Sequence, residues 1–588
     1  MRKFVSLLLA LVMVLCCIPA VAETADGVYE GTGAGLNGAI KVSVTVSGGK
    51  ITEVKVLEHS ETAGISDPAI EKIPAAIVEA QSADVDIVSG ATFTSKGIIE
   101  AVKNALNPDE AKEATMPFEQ ADVLVIGAGM AGLATAARAA ELGLNVLVVD
   151  QAATYGGSAN VAGGTLLGAG TRMQKEAGIE DDPDLCFADF VRLGGAGTFN
   201  EEIAREFAEI SGEAVDWLDD LGTDFGDRVP YFGVYQPLNV ARNYSGKGGA
   251  RAFVVSLYAE LEKYFSTNAY MMLNTYVTGL VTNDEGAVIG AKARLADGTE
   301  TTLLAPATVV CTGGYGGSEE LLNKYNFENV LSTSPACVTG DGYAWLEELG
   351  APLTNMDFCT AYAGGIPTSD DFRSFGYFNA TNGALWINTN GERMANETGA
   401  DSHVKSETWA NAPHNIVYTV FSSEMLIPDA KVFSTGAWGS VKEEFDPYVE
   451  SLIEKGLAWK ADTIEELAEK VGLPVDAFKA TIAAYNDGCA NGNDPFGRTK
   501  QEVAMANGPF YAVKTVPYVM ITCGGPMMTK DCEVLNSDGL VIEGVYMAGE
   551  IVGMANVGGR NSIGGMGHGN CLVWGKKAAE VIAAKLGK

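Results

Sequence analysis

Two small-residue turns in this chain have the residue types to hold phosphate. The first is Gly127-Ala128-Gly129-Met130-Ala131-Gly132, which follows the short apolar run Val123 to Ile126 and opens a helical pattern through Leu142. A second apolar strand, Val146 to Val149, then ends at Asp150. In such a βαβ unit the first glycine permits a tight turn, the second lets a pyrophosphate approach the backbone, and the third packs helix on strand. An acid at the end of the second strand suits the ribose hydroxyls of adenosine, so the unit reads as a dinucleotide site. The second turn is Asp86-Ile87-Val88-Ser89-Gly90-Ala91-Thr92. Apolar residues at Ile98, Ile99, Val102, Ala105 and Leu106 follow it at helical spacing. Free backbone N–H groups and the helix dipole favour an anion at such a helix start.

The elements that must position these turns follow from the same patterns. Residues 1–22 carry Arg2 and Lys3, an apolar run from Phe4 to Pro19, and Ala20-Val21-Ala22, which reads as a cleaved export signal. Alternation at Ile40, Val42, Val44 and Val46, a turn at Gly48-Gly49 and a strand through Val54 and Val56 make 23–107 a small α+β domain. Residues 108–119, charged and carrying Pro108 and Pro117, read as a linker. The expected remainder is an α/β Rossmann-like dinucleotide domain in two parts, 120–361 and 516–588, with an α+β domain over 362–515 inserted between them. Within the insertion, Thr463-Ile464-Glu465-Glu466 predicts a capped helix ending at Gly472, and a further helix is expected to run to Tyr485-Asn486.

Composition narrows the function classes. A formal net charge of −35, more negative still once Arg2 and Lys3 leave with the signal, argues against nucleic acid and anionic membrane surfaces as partners. No segment after the signal offers about eighteen uninterrupted apolar residues. The cysteines beyond the signal form no C-x-x-C pair, which gives no basis for a c-type haem, a zinc ribbon or a ferredoxin-like cluster, and no metal site is expected.

The sequence D-x-x-S-G-A-T over 86–92 resembles the motif of FMN-binding domains of membrane sodium pumps and related reductases. That resemblance implies FMN joined covalently to Thr92 through a phosphoester, and a separate flavin transferase to attach it. The glycine fingerprint, Gly156-Gly157-Ser158, Gly163-Gly164, Thr312-Gly313-Gly314, Gly340-Asp341-Gly342 and Ala548-Gly549-Glu550, in that order, resemble the FAD domain of the fumarate reductase and succinate dehydrogenase flavoprotein family, including the 3-ketosteroid dehydrogenases. The resemblance implies non-covalent FAD held by Gly127, Gly129, Ala131, Gly132, Asp150, Gly157, Ser158, Ala162, Gly163, Gly313, Gly314, Asp341, Glu550 and Ile563. It also implies that 362–515 is a capping domain that closes over the isoalloxazine.

Fumarate reductases carry a cap arginine as proton donor a few residues after a segment resembling Asn388 to Glu397. Here Ala400-Asp401-Ser402-His403 stands in its place, and the upstream glutamate–arginine relay falls near Tyr377 and Ala380. Of two substrate-binding histidines, the first matches Tyr362 and the second Ile521. Gly559-Arg560-Asn561-Ser562-Ile563-Gly564-Gly565 resembles the loop of the substrate-carboxylate arginine, with Arg560 displaced by two residues. The candidate catalytic residues are therefore Tyr362, His568, Arg560 and His403. The resemblance implies an exported, extracytoplasmic reductase of an α,β-unsaturated organic compound other than fumarate. Electrons would pass from a membrane donor, quinol or flavin-based, through FMN and FAD in anaerobic respiration. A ketosteroid-type dehydrogenase or reductase, and a non-catalytic flavin electron carrier, remain open alternatives.

Overall fold

The computed structural model describes residues 25–35, 39–59, 61, 66–88, 91–106, 116–233, 238–373, 375–377, 383–397, 408–409, 411–427, 431–435, 441–498 and 503–588. The expected export signal, Ser89-Gly90, the linker up to residue 115, Ala380, and the stretch with Asp401 and His403 lie outside the described residues. The chain divides in the main into two compact units, one up to Met116 and one from Pro117.

In the first unit β1 (Gly27–Ala34), β2 (Ala39–Ser47) and β3 (Lys50–Glu58) form an antiparallel sheet, with helices α1 (Asp67–Ala80) and α2 (Thr92–Leu106). Ile40, Val42 and Val44 are fully buried, as their alternation requires, and pack with Ile98, Val102 and Ala105 of α2. Helix α2 rests directly on β1 because two glycines there leave room. A Cβ on Gly31 would lie 2.1 Å from the Ala101 carbonyl oxygen, and one on Gly33 2.1 Å from that of Gly97. The turn before α2 is tied down by Ser95, whose hydroxyl donates to Ala91 O (2.8 Å) and accepts from Val88 N–H (3.1 Å). Thr94 Oγ1 donates to the buried carboxylate of Glu61.

The second unit is built on β4 (Val123–Ile126), α3 (Met130–Glu141), β5 (Val146–Val149), β6 (Ala269–Met272), β7 (Ala307–Val310), β8 (Cys359–Ile366), β9 (Phe510–Thr522), β10 (Val541–Met547) and α4 (Met566–Lys585). A six-stranded sheet has the order Glu533–Leu535, β10, β7, β4, β5, β6, and all of its pairs are parallel except the one at the Glu533 edge. Strands β4, β5 and β7 are buried at every position, which explains why they read as continuous apolar runs. Helix α4 packs against the alanine-rich α3, close enough that a Cβ on Gly575 would lie 2.7 Å from Ala131 O.

A second sheet, which includes β8 and β9, has its own core of residues such as Leu385, Ile387, Phe421, Phe478 and Ala512. The capped helix runs Ile464–Val471 between Thr463 and a left-handed Gly472, and the next helix, Val475–Asn491, continues beyond the expected Asn486. Both expected boundaries, 361/362 and 515/516, fall inside β8 and β9, which form one antiparallel pair. Along β9 the buried residues change allegiance. Phe510 to Val513 belong to the second core, Val516 and Tyr518 to a small cluster at the crossing, and Val519 to the core of the six-stranded sheet. Two paired strands, not two loops, therefore join the sheets.

Candidate active site

The three glycines of the fingerprint occupy three different environments. Gly127 has φ +109°, and a Cβ there would lie 2.3 Å from Cys311 O; Gly132 would put its Cβ 1.7 Å from Gly127 O. Gly129 faces open space, with nothing within 4 Å of its Cβ position. One glycine makes the turn, one seats the helix on it, and the one between them leaves a vacancy at the N-terminus of α3, where a helix dipole favours an anion. Asp150 Oδ2 accepts the Ala128 N–H at 2.6 Å, so the carboxylate also holds the turn.

Two cavities meet at this vacancy. The first, about 100 Å³, is lined by Gly127, Asp150, Gly157, Thr275, Thr312 and Asp341 among others. Asp341 begins the helix Asp341–Glu348, and its carboxylate accepts from Thr339 Oγ1 (2.7 Å) and Tyr276 OH (3.2 Å). Thr312 Oγ1 is buried with no hydrogen-bond partner among the described residues, which marks a place for a polar ligand atom. The second cavity, about 260 Å³, shares Gly129, Ser158, Cys311 and Gly313 with the first. Ala131, Ala162, Gly163, Glu550, Ile563, Tyr362 and His568 line it. An elongated ligand with a pyrophosphate near Gly129 fits the two chambers, as FAD would.

Glu550 supports the second chamber from behind. Its carboxylate accepts from Thr522 N–H (2.9 Å) and Thr522 Oγ1 (2.6 Å), while burial pushes its pKa up against the effect of those bonds. Gly314 and Gly132 pack this framework and line neither chamber: a Cβ on Gly314 would lie 2.1 Å from Glu550 Oε1.

The far wall comes from the strand pair. Register shifts between Thr360 and Ala361, and between Tyr362 and Gly365, disturb the β8–β9 ladder. The first lets the consecutive residues Met520 and Ile521 both face the chamber alongside Thr360 and Tyr362. The Tyr362 ring lies 5.7 Å from that of Tyr518. His568, in the first turn of α4, is fixed by a 2.9 Å hydrogen bond between Nδ1 and Thr165 O, and burial lowers its pKa. The ring is therefore neutral at pH 7 with its proton on Nδ1, and Nε2 is an acceptor.

Arg560 is placed elsewhere. Its guanidinium bonds Asp357 at 2.7 Å and 3.3 Å, lies over the Phe358 ring, and is half exposed outside the cavity lining. It stands outside the chamber as a half-exposed ion pair, away from the substrate position expected of it. Arg393, by contrast, is a buried structural cation between Glu397 and Asp494. Thr360 and Met554 line the second chamber without a motif in the sequence to announce them, and Thr312 and Ser562 line the chambers from within sequence motifs that do not single them out. At the other unit, Thr92 opens α2; its side chain lies outside the described residues.

Comparison with known proteins agrees with this geometry. Residues 122–567 match the model of the FAD binding domain, and 35–107 that of the FMN-binding domain. The chain is 28% identical to the NADH:acrylate oxidoreductase of Vibrio harveyi over 94% of its own length, and spans 61% of that relative. It is 28% identical to the urocanate reductase of Eggerthella lenta, over 95% of this chain and 92% of the relative. Among solved structures, the open form of a flavocytochrome c3 fumarate reductase superposes with a TM-score of 0.60 at 26% identity, covering 85% of this chain and 84% of that one. This chain thus belongs to the FAD-binding domain family of flavoproteins, and carries an FMN-binding domain ahead of its FAD domain.

Proposed function

We propose that this protein is an exported reductase that passes electrons from a membrane donor, through FMN on Thr92 and then FAD, to the C=C bond of an α,β-unsaturated organic acceptor other than fumarate. The observation that carries this reading is the second chamber, where Tyr362 and His568 stand against the expected flavin position and no arginine is present. The relatives named for acrylate, urocanate and fumarate support the reaction class. In this reading the six-stranded sheet with its fingerprint is a Rossmann-like FAD domain, and the second sheet caps the site.

Bound FAD would supply hydride from its reduced ring to one carbon of the double bond. The chain's own task is to hold the acceptor against that face, exclude water, and protonate the other carbon. In this reading Tyr362, which lines the chamber, supplies the proton. His568, neutral and fixed by Thr165, is suited to orient a donor group of the substrate. In this reading FMN attachment requires a flavin transferase.

The test is steady-state turnover of the purified holoprotein with reduced methyl viologen and a panel of unsaturated acids and ketones. Consumption of two viologen electrons per saturated product supports the reading. Electron transfer to a protein acceptor with no alkene reduced would replace it by a flavin relay.

A further inference from the structure

All the arginines of this chain except Arg2 lie at described positions, and none lines the second chamber. Most are ion-paired to carboxylates, such as Arg242 with Asp181 and Asp189, or Arg498 with Glu397. Arg294 lies over the Tyr276 ring, and Arg251 opens the helix Arg251–Glu262. Among the described residues no lysine lines the chamber either, and its one acidic side chain is Glu550. A substrate carboxylate entering here would lose its hydration beside the Glu550 carboxyl and a neutral imidazole, with no lysine or arginine among the described lining residues to compensate.

The chamber offers an uncharged donor instead. Thr360 Oγ1 and Ser562 Oγ lie 3.1 Å apart on its wall, and both residues are buried. Two hydroxyls carry two hydrogens, and one is used between them. Cys523 Sγ, 3.6 Å from Thr360 Oγ1, is a weak acceptor whose own hydrogen points to Ile521 O. With Thr360 donating to Ser562, the Ser562 hydrogen is left for a ligand, and the donated bond polarises it further. Met520, Ile521, Met554 and Ile563 give the same chamber an apolar face.

We propose that the Thr360–Ser562 hydroxyl pair binds and polarises an uncharged carbonyl, and that the acceptor is a neutral enone or unsaturated ester with an apolar body rather than an unsaturated carboxylate. This rests on the ene-reductase reading above. In that reading bound FAD would supply the hydride for the carbon β to the carbonyl, while Tyr362 gives its phenolic proton to the α carbon and regains one from solvent. Reducing equivalents come from the donor that feeds FMN.

The experiment compares acceptors of one shape and different charge, 4-phenylbut-3-en-2-one and methyl cinnamate against cinnamate, with the viologen-driven holoprotein. The ketone and the ester should exceed cinnamate in kcat/KM by about tenfold or more, the scale of one hydrogen bond to a group left unpaired. Ser562→Ala should lower the ketone's kcat by about 10- to 100-fold with FAD content and flavin reduction unchanged. Thr360→Val should do the same more weakly, and Thr360→Ser should restore the rate. Binding of the saturated ketone, read as a shift of the oxidised flavin spectrum, should weaken in Ser562→Ala and Thr360→Val alike. Cinnamate equal to or better than the ketone overturns the proposal, as does a Ser562→Ala protein that reduces the ketone at the wild-type rate. If no alkene of any charge is reduced, the ene-reductase reading itself falls.

Discussion

Replacing Gly129 and Gly132 with alanine, one at a time, separates cofactor binding from folding at a single turn. Gly129 has φ −72° and ψ −174°, a conformation that alanine adopts freely, and no atom lies within 4 Å of its Cβ position. Such a change raises the stability of the empty protein by about 0.4–1 kcal/mol through the unfolded chain. The added methyl, however, stands where a pyrophosphate must approach the backbone. Loss of one hydrogen bond to a charged group costs about 1.5–3 kcal/mol, or roughly ten- to hundredfold in Kd. Gly132→Ala does the opposite. Its Cβ would lie 1.7 Å from Gly127 O, so helix α3 must shift off the turn, with a loss of at least about 1–3 kcal/mol. Thermal unfolding of the apoproteins and FAD titration by fluorescence quenching, in protein made without a flavin transferase, read the two effects apart. The reasoning is refuted if Gly129→Ala binds FAD as tightly as wild type, or if its apoprotein unfolds before that of Gly132→Ala.

Three further outcomes are expected. Tyr362→Phe should leave FAD content and flavin reduction intact and slow reoxidation by the best acceptor by about 10²- to 10⁴-fold; reoxidation at the wild-type rate in rapid mixing would reduce Tyr362 to packing. Because burial holds His568 below its ordinary pKa of 6.5, the unfolded chain takes up its proton first as pH falls. The apoprotein should therefore lose stability from about pH 6.5 downward, by at most about 1.4 kcal/mol per pH unit. His568→Gln should flatten that part of the curve, and urea midpoints at several pH values that run parallel in the two proteins would contradict it. Arg560→Ala should leave kcat/KM unchanged, since the pair with Asp357 is half exposed and outside the chamber; a large fall in kcat/KM would return Arg560 to the site.

The parts of this molecule legible in its sequence are those where local pattern and tertiary role coincide. Strands β4 and β5 and helix α3 appear as read, because a buried parallel strand must be apolar throughout and the fingerprint glycines each answer a local steric demand. The helix after Asp86 and the capped helix at Thr463 were legible for the same reason. What the sequence does not carry is proximity across the fold. Thr360 and Ser562 are ordinary hydroxyl residues 202 positions apart, and only the β8–β9 pairing and the loop before α4 bring them within hydrogen-bonding distance. Arg560 misleads for a related reason, since its pairing with Asp357 outside the chamber depends on a distant segment that the spacing of its own loop does not reveal. The boundaries drawn at 361/362 and 515/516 fell inside strands because β8 and β9 keep one apolar pattern while they pass from one core to the other.

The central claim is that the double bond is reduced at FAD in the second unit, with FMN serving as the inlet. A single-turnover measurement with Thr92→Val protein tests it most directly: FAD is photoreduced anaerobically, mixed with the best acceptor, and reoxidation is followed beside product analysis. The account predicts one saturated product per FAD at the wild-type rate, and loss of turnover driven by membranes. Failure of the reduced, FMN-free protein to convert any acceptor that the intact protein converts would contradict it.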